Sequence, residues 1–163
     1  MDVKIVKAEW KDRDIVRNMY SFYLHDLTKY TDALEVNEEG TFEFDAFSLI
    51  WDKEGIEPYL IKADGKLAGL LLLLRAPFLK KADYCINDFF LYNSFRGKNV
   101  GQTAIDLLFR EYKGTYYIEQ LKRNEPAVRF WKKVFRYYQL DVDETSRMED
   151  GEECVGQLVK VGC

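Results

Sequence analysis

The chain has 163 residues, of which 47% are hydrophobic and 32% charged, and a net charge of -4. This length fits one domain, 1–163, with a real core. The acidic balance excludes a general nucleic-acid binder, which needs a basic face, and the longest apolar run, 67–74, is far short of the ~20 residues of a membrane span.

The elements follow in order. Val3, Ile5 and Ala8 mark a first strand. Ile15, Met19, Phe22, Tyr23, Leu27 and Tyr30 keep a helical period, so a helix is expected over 12–29. The stretch 31–41 is polar and acidic, a loop. Asp45 to Trp51 reads as a short second helix, ended by Gly55. Tyr59 to Ala63 and Lys66 to Arg75 flank Asp64-Gly65, a pair suited to the positive φ angles of a two-residue hairpin. Leu70 to Leu74 is too continuous for a strand with one wet face and should be central, covered on both sides.

Tyr84 to Leu91 is a fourth strand. A helix from Val100 to Tyr112 and a fifth strand, Thr115 to Glu119, complete a βαβ unit, so the fourth and fifth strands should be parallel. Asn124 caps a last helix with Pro126 in its first turn. Tyr137 to Val142 and Cys154 to Val161 read as two closing strands around an acidic loop, Asp143 to Glu153. The order predicts a three-layer α/β domain on a mixed sheet. Cys85, Cys154 and Cys163 show no disulfide framework or zinc spacing, which points to free thiols. The first 13 residues hold no signal-like apolar segment, and the protein reads as soluble and cytoplasmic.

The junction after the fourth strand carries the chemistry. Arg96-Gly97-Lys98-Asn99-Val100-Gly101-Gln102 is a basic, Gly-bearing loop that opens a helix. Main-chain amides and the helix dipole there favour a phosphate without a metal. The loop follows the wrong strand for a dinucleotide fingerprint, and Lys98-Asn99 departs from a Walker loop. An ordinary turn plus cap is the competing reading.

With Asn124-Glu125-Pro126-Ala127-Val128-Arg129-Phe130-Trp131 after the fifth strand, the chain resembles the GNAT superfamily of acyl-CoA-dependent N-acyltransferases. Element order matches along essentially the whole chain. The resemblance implies a mostly antiparallel sheet of about seven strands with helices on both faces. It implies direct transfer of an acetyl group from acetyl-CoA, as co-substrate, to a primary amine of a small molecule or peptide, with no metal. A non-catalytic CoA-binding module is the alternative. Amides of Arg96, Gly97, Lys98, Asn99, Val100, Gly101 and Gln102 would cradle the pyrophosphate. Phe89, Phe90 and Leu91 would pair with the pantetheine arm where the fourth and fifth strands splay, and the Leu91 amide would polarise the thioester. Asn124 would bond the pantetheine or simply cap its helix.

Two departures matter. Asn99 replaces the motif's first Gly, and Asn is the residue that best tolerates left-handed backbone after Gly. Trp131 stands where many members carry the Tyr that protonates the leaving thiolate; it packs on CoA or in the core. Tyr117, Tyr137 or Tyr138 would serve as acid instead, and Tyr137 is taken as the candidate. An amine with pKa ~10 needs a base, and Asp88 and Glu119 are the candidates. His25 reads as a surface residue and Cys85 as core, with an acyl-cysteine the minor alternative. The acidic connection Asp32, Glu35, Glu38, Glu39, Glu43 and Asp45 either steers a cationic acceptor or is a solvated loop. Nucleic-acid and membrane partners are not expected. The oligomeric state is not readable from the sequence, although homodimers are common in the resembling family.

Overall fold

The computed structural model describes residues 1–44 and 46–162. Asp45 and Cys163, named above in the second helix, the acidic connection and the free thiols, lie outside them.

The apolar run at the middle of the chain sets the layers. In β3 (Lys66–Arg75), Leu70 to Leu73 are all buried. Leu71 and Leu73 enter one core, and Leu70 and Leu72 the other. β3 is flanked by β2 (Ile56–Ala63) and β4 (Tyr84–Leu91). β1 (Val3–Lys7), β5 (Gly114–Leu121), β6 (Asp143–Glu149) and β7 (Glu152–Val161) complete a seven-stranded sheet of order β1-β2-β3-β4-β5-β7-β6. β4 and β5 run parallel, and every other neighbouring pair antiparallel.

Helices α1 (Arg13–Leu27) and α2 (Phe47–Asp52) cover one face through Val16, Met19, Tyr20, Phe47 and Ile50. Helices α3 (Val100–Glu111) and α4 (Glu125–Tyr137) cover the other through Ile105, Leu108, Trp131 and Val134. The three-layer mixed sheet is therefore as expected. Among the described residues no helix is long and apolar enough to cross a membrane.

The C-terminal reading needs correction. Tyr137 does not open a strand; it is the last residue of α4, which stops where Gln139 takes the left-handed conformation (φ 53°). The expected acidic loop is instead β6, paired with β7 across Asp150-Gly151. That turn (φ 50° and 79°) repeats the conformation of Asp64-Gly65 (φ 51° and 77°). All seven residues of β6 are exposed, so no buried face imposed an apolar alternation on its sequence.

Candidate active site

β4 and β5 pair over three positions, Tyr84–Tyr116, Cys85–Tyr117 and Ile86–Ile118. Beyond them β4 follows β3 and β5 follows β7, so the two strands part. A cleft of about 790 Å³ opens there. Phe89, Phe90, Leu91, Arg96, Gly97, Asn99, Val100, Gly101, Gln102, Asn124 and Trp131 all line it. Lys98 is exposed and does not.

The loop bends as its composition requires. Gly97 (φ 73°) and Asn99 (φ 63°) are both left-handed, and Val100 then opens α3. Alternating hand turns successive amides toward one concavity, and the first N–H groups of a helix lack partners inside it. A Cβ at Gly101 would stand 3.2 Å from the Phe130 ring and 3.4 Å from Leu91 Cδ1, so a side chain there would crowd the cleft wall. Gln102 Nε2 is buried in that wall without a hydrogen bond, although the Tyr138 hydroxyl lies near. A left-handed loop that runs into a helix start beside a bare glycine fits an anionic carrier.

Arg96 is committed elsewhere. Its Nε donates to the Leu91 carbonyl (2.9 Å) and its Nη2 to Asp26 Oδ2 (2.6 Å). It ties the loop to α1 and occupies one acceptor on the open edge of β4. On the far wall Phe89 stacks on Phe130 (5.4 Å between centroids) and meets Trp131 edge-on (5.9 Å). Asn124 Oδ1 accepts from the Ala127 N–H (3.2 Å), so the capping role is realised.

The three residues named for proton transfer are not together. Asp88 lies on the α1 face of β4, at a bulge where Asn87 is the extra residue between the Leu72–Asp88 and Leu73–Ile86 pairs. Tyr20 and Tyr23 donate to its two carboxylate oxygens at 2.8 and 3.2 Å. Burial raises its pKa and outweighs the hydrogen bonds from Tyr20, Asn87 and Tyr23.

Glu119 is different. Burial pushes its pKa up, but two Arg147 hydrogen bonds (2.6 and 2.7 Å) and one from Tyr117 (2.6 Å) win and hold it below the usual range. A carboxylate so neutralised is a poor base. Tyr137 is the last residue of α4, 68% exposed, and is not among the residues that line the cleft. His25 is exposed. Burial pushes the Cys85 thiol up to about 12, which disfavours the thiolate that an acyl carrier would need. Glu119, Glu149 and Cys154 converge within 4.8 Å, with the Arg147 guanidinium bonded to both carboxylates.

The model of the acetyltransferase (GNAT) family matches residues 17–137. The chain belongs to that family. Family membership implies acyl-CoA-dependent acyl transfer. Solved structures agree in fold. A GNAT-family acetyltransferase from Streptococcus agalactiae superposes with a TM-score of 0.67 at 15% identity, over 98% of this chain and 95% of that one. The ribosomal-protein-S18-alanine N-acetyltransferase of Escherichia coli gives 0.62 at 13% identity, over 99% and 96%. A candidate streptothricin acetyltransferase of Bacillus anthracis, solved with acetyl coenzyme A, gives 0.58 at 12% identity, over 99% of both chains. No curated protein sequence matches significantly.

Sequence reasoning missed the α1 side of this GNAT site. Tyr23, Asp26 and Tyr30 line the cleft, and Tyr20 reaches Asp88 from behind. Tyr20 and Tyr23, three residues apart, share a helix face. That spacing was visible, but it reads equally as core packing.

Proposed function

We propose that the protein is an N-acetyltransferase that moves the acetyl group of acetyl-CoA to a primary amine of a small molecule or peptide. The observation that carries this reading is the cleft itself: a row of loop amides leads to a strand edge left without a neighbour beyond Ile86. Amides from Gly97 to Gln102 hold the diphosphate at the start of α3. The edge of β4 at Phe89 and Leu91 offers backbone groups to the amide-bearing arm, and Asn124 approaches it from α4. The Leu91 N–H polarises the thioester carbonyl and stabilises the oxyanion of the tetrahedral intermediate. Asp88 is the base, because its pKa is raised and no cation among the described residues is bonded to it, whereas Glu119 is spent on Arg147. The two named neighbours, one holding acetyl coenzyme A and one named for a ribosomal-protein alanine, support the donor and an amine acceptor.

Trp131 favours a second reading, a CoA-binding module without turnover. An indole N–H donates a hydrogen bond to a departing thiolate but is not a practical acid. Thiol release from acetyl-CoA across a panel of amines, alongside calorimetry with CoA, separates the two. Release with any amine supports transfer; CoA binding with no release supports the module. Preference for ATP or NAD over CoA ends both.

A further inference from the structure

Asp88 sits behind the cleft wall rather than in it. The β4 bulge turns it toward α1, where two phenols reach it. The two tyrosines differ in access. Tyr20 is 2% exposed and stacks on Phe44 (4.5 Å). Tyr23 is half-buried and lines the cleft. Its ring is fixed edge-on by Phe90 (6.2 Å) and by Tyr20 (6.0 Å). The groups bonded to Asp88 are Tyr20 and Tyr23 from α1 and Asn87 from its own strand, none of them a cation. Of the two phenols that donate to Asp88, Tyr23 is the one that lines the cleft.

We propose that Tyr23 is a catalytic residue: its hydroxyl accepts a proton from the acceptor ammonium while passing its own proton to Asp88, and Tyr20 positions that carboxylate. The inference rests on the acetyl-transfer reading above. One N–H bond of the ammonium breaks, and its electron pair becomes the lone pair of the nucleophile. The proton bonds to Tyr23 Oη as the Tyr23 O–H bond breaks and its proton bonds to Asp88 Oδ1. The nitrogen then bonds the thioester carbon, the C–S bond breaks, and the second N–H proton goes to the sulfur. Asp88 returns its proton to water before the next cycle.

A phenol suits this place because one oxygen accepts and donates at once. The phenol begins and ends the step neutral, so the net transfer runs from the ammonium to Asp88, whose raised pKa narrows the gap between the two. Burial and the neighbouring Asp88 carboxylate hold Tyr23 well above the usual phenol range. The phenol thus relays the proton without resting as a phenolate.

The test uses the full chain with acetyl-CoA and a panel of amines, following thiol release. Tyr23→Phe is expected to keep CoA affinity within about twofold and to lower kcat ~100-fold, with the KM for amine little changed. In mixtures of light and heavy water the wild-type kcat should curve with deuterium fraction, two protons moving together. The Tyr23→Phe response should be a straight line. Tyr20→Phe should lower kcat less than about tenfold and keep the curve. Because Phe could disturb α1, 3-fluorotyrosine at position 23 is the second probe. It keeps the ring and the hydrogen bond but acidifies the phenol, so kcat should move while the unfolding midpoint does not. Unchanged kcat in Tyr23→Phe, an unchanged curve, or indifference to fluorination overturns the relay and leaves acetyl transfer standing. Wild-type protein that releases no thiol with any amine overturns acetyl transfer, and the relay with it.

Discussion

Gly156 lies directly beneath Tyr117: a Cβ there would stand 2.8 Å from Cζ and 3.0 Å from Cε2 of the ring. The bare strand lets Tyr117 lie across the sheet with its hydroxyl on Glu119 (2.6 Å). Glu119 in turn anchors Arg147 of β6, an edge strand with no buried residue of its own. Gly156→Ala should lift the ring, break the Tyr117–Glu119 bond and cost about 1–3 kcal/mol, the usual range for overpacking. A urea unfolding midpoint checks it. CoA affinity should be unchanged, because none of these residues lines the cleft.

At Gly101 the crowding is functional. The position faces Phe130 and Leu91 across the cleft, at the start of α3 where amides point outward. Gly101→Asp places bulk and a negative charge where the diphosphate would sit. The Kd for CoA should rise at least about tenfold, or ~1.4 kcal/mol, and the tight contacts with Phe130 and Leu91 should also lower the unfolding midpoint. Calorimetry gives both the affinity and the stoichiometry, and unchanged affinity would remove the diphosphate from this loop.

How far the sequence carried depended on the range of the interactions involved. The run from Tyr84 to Trp131 was legible because its signals are local: an apolar strand, Gly97 and Asn99 at left-handed positions, and Asn124 with Pro126 at a helix start. Asn99 in particular takes the left-handed conformation, which Asn tolerates better than most residues that carry a Cβ. The Tyr20–Asp88 and Tyr23–Asp88 bonds span 68 and 65 residues. They exist because α1 docks on the sheet beside a bulge, and no local pattern announces either event. β6 was illegible for another reason. An edge strand exposed on every residue needs no apolar alternation, so only Asp150-Gly151 betrayed the hairpin. Gly156 likewise shows its purpose only once Tyr117 lies over it.

The Arg96–Asp26 pair predicts an effect opposite in sign to most site mutations. Both residues line the cleft. Asp26 holds Arg96 at 2.6 Å and puts a negative charge beside the proposed phosphate site. Asp26→Asn removes that charge and releases the guanidinium. CoA should bind about three- to tenfold tighter, ~1 kcal/mol, with the gain shrinking as salt rises. The pair is partly exposed, 47% and 37%, so the loss of stability should stay under about 1 kcal/mol. Weaker CoA binding by the variant would mean that Arg96 serves better where it is.

Asp88 ties activity to a stability penalty. Burial raises its pKa in the folded protein above that of the unfolded chain. The folded state therefore holds the proton more tightly, and the stability it gains is full below pH ~3.9 and lost as pH rises through the folded value. The carboxylate is half-buried, with the Tyr20 and Tyr23 hydroxyls donating to it. Asp88→Asn removes the charge and keeps the shape. Its stability relative to wild type should improve as pH is raised from 4 to 8, read as urea midpoints at pH 4, 6 and 8. Thiol release should fall by about two to four orders of magnitude, the span of a lost general base. If the variant's stability relative to wild type instead fell as pH rises, the tyrosines would over-compensate for burial, and Asp88 would be too acidic to drive the proton from an amine.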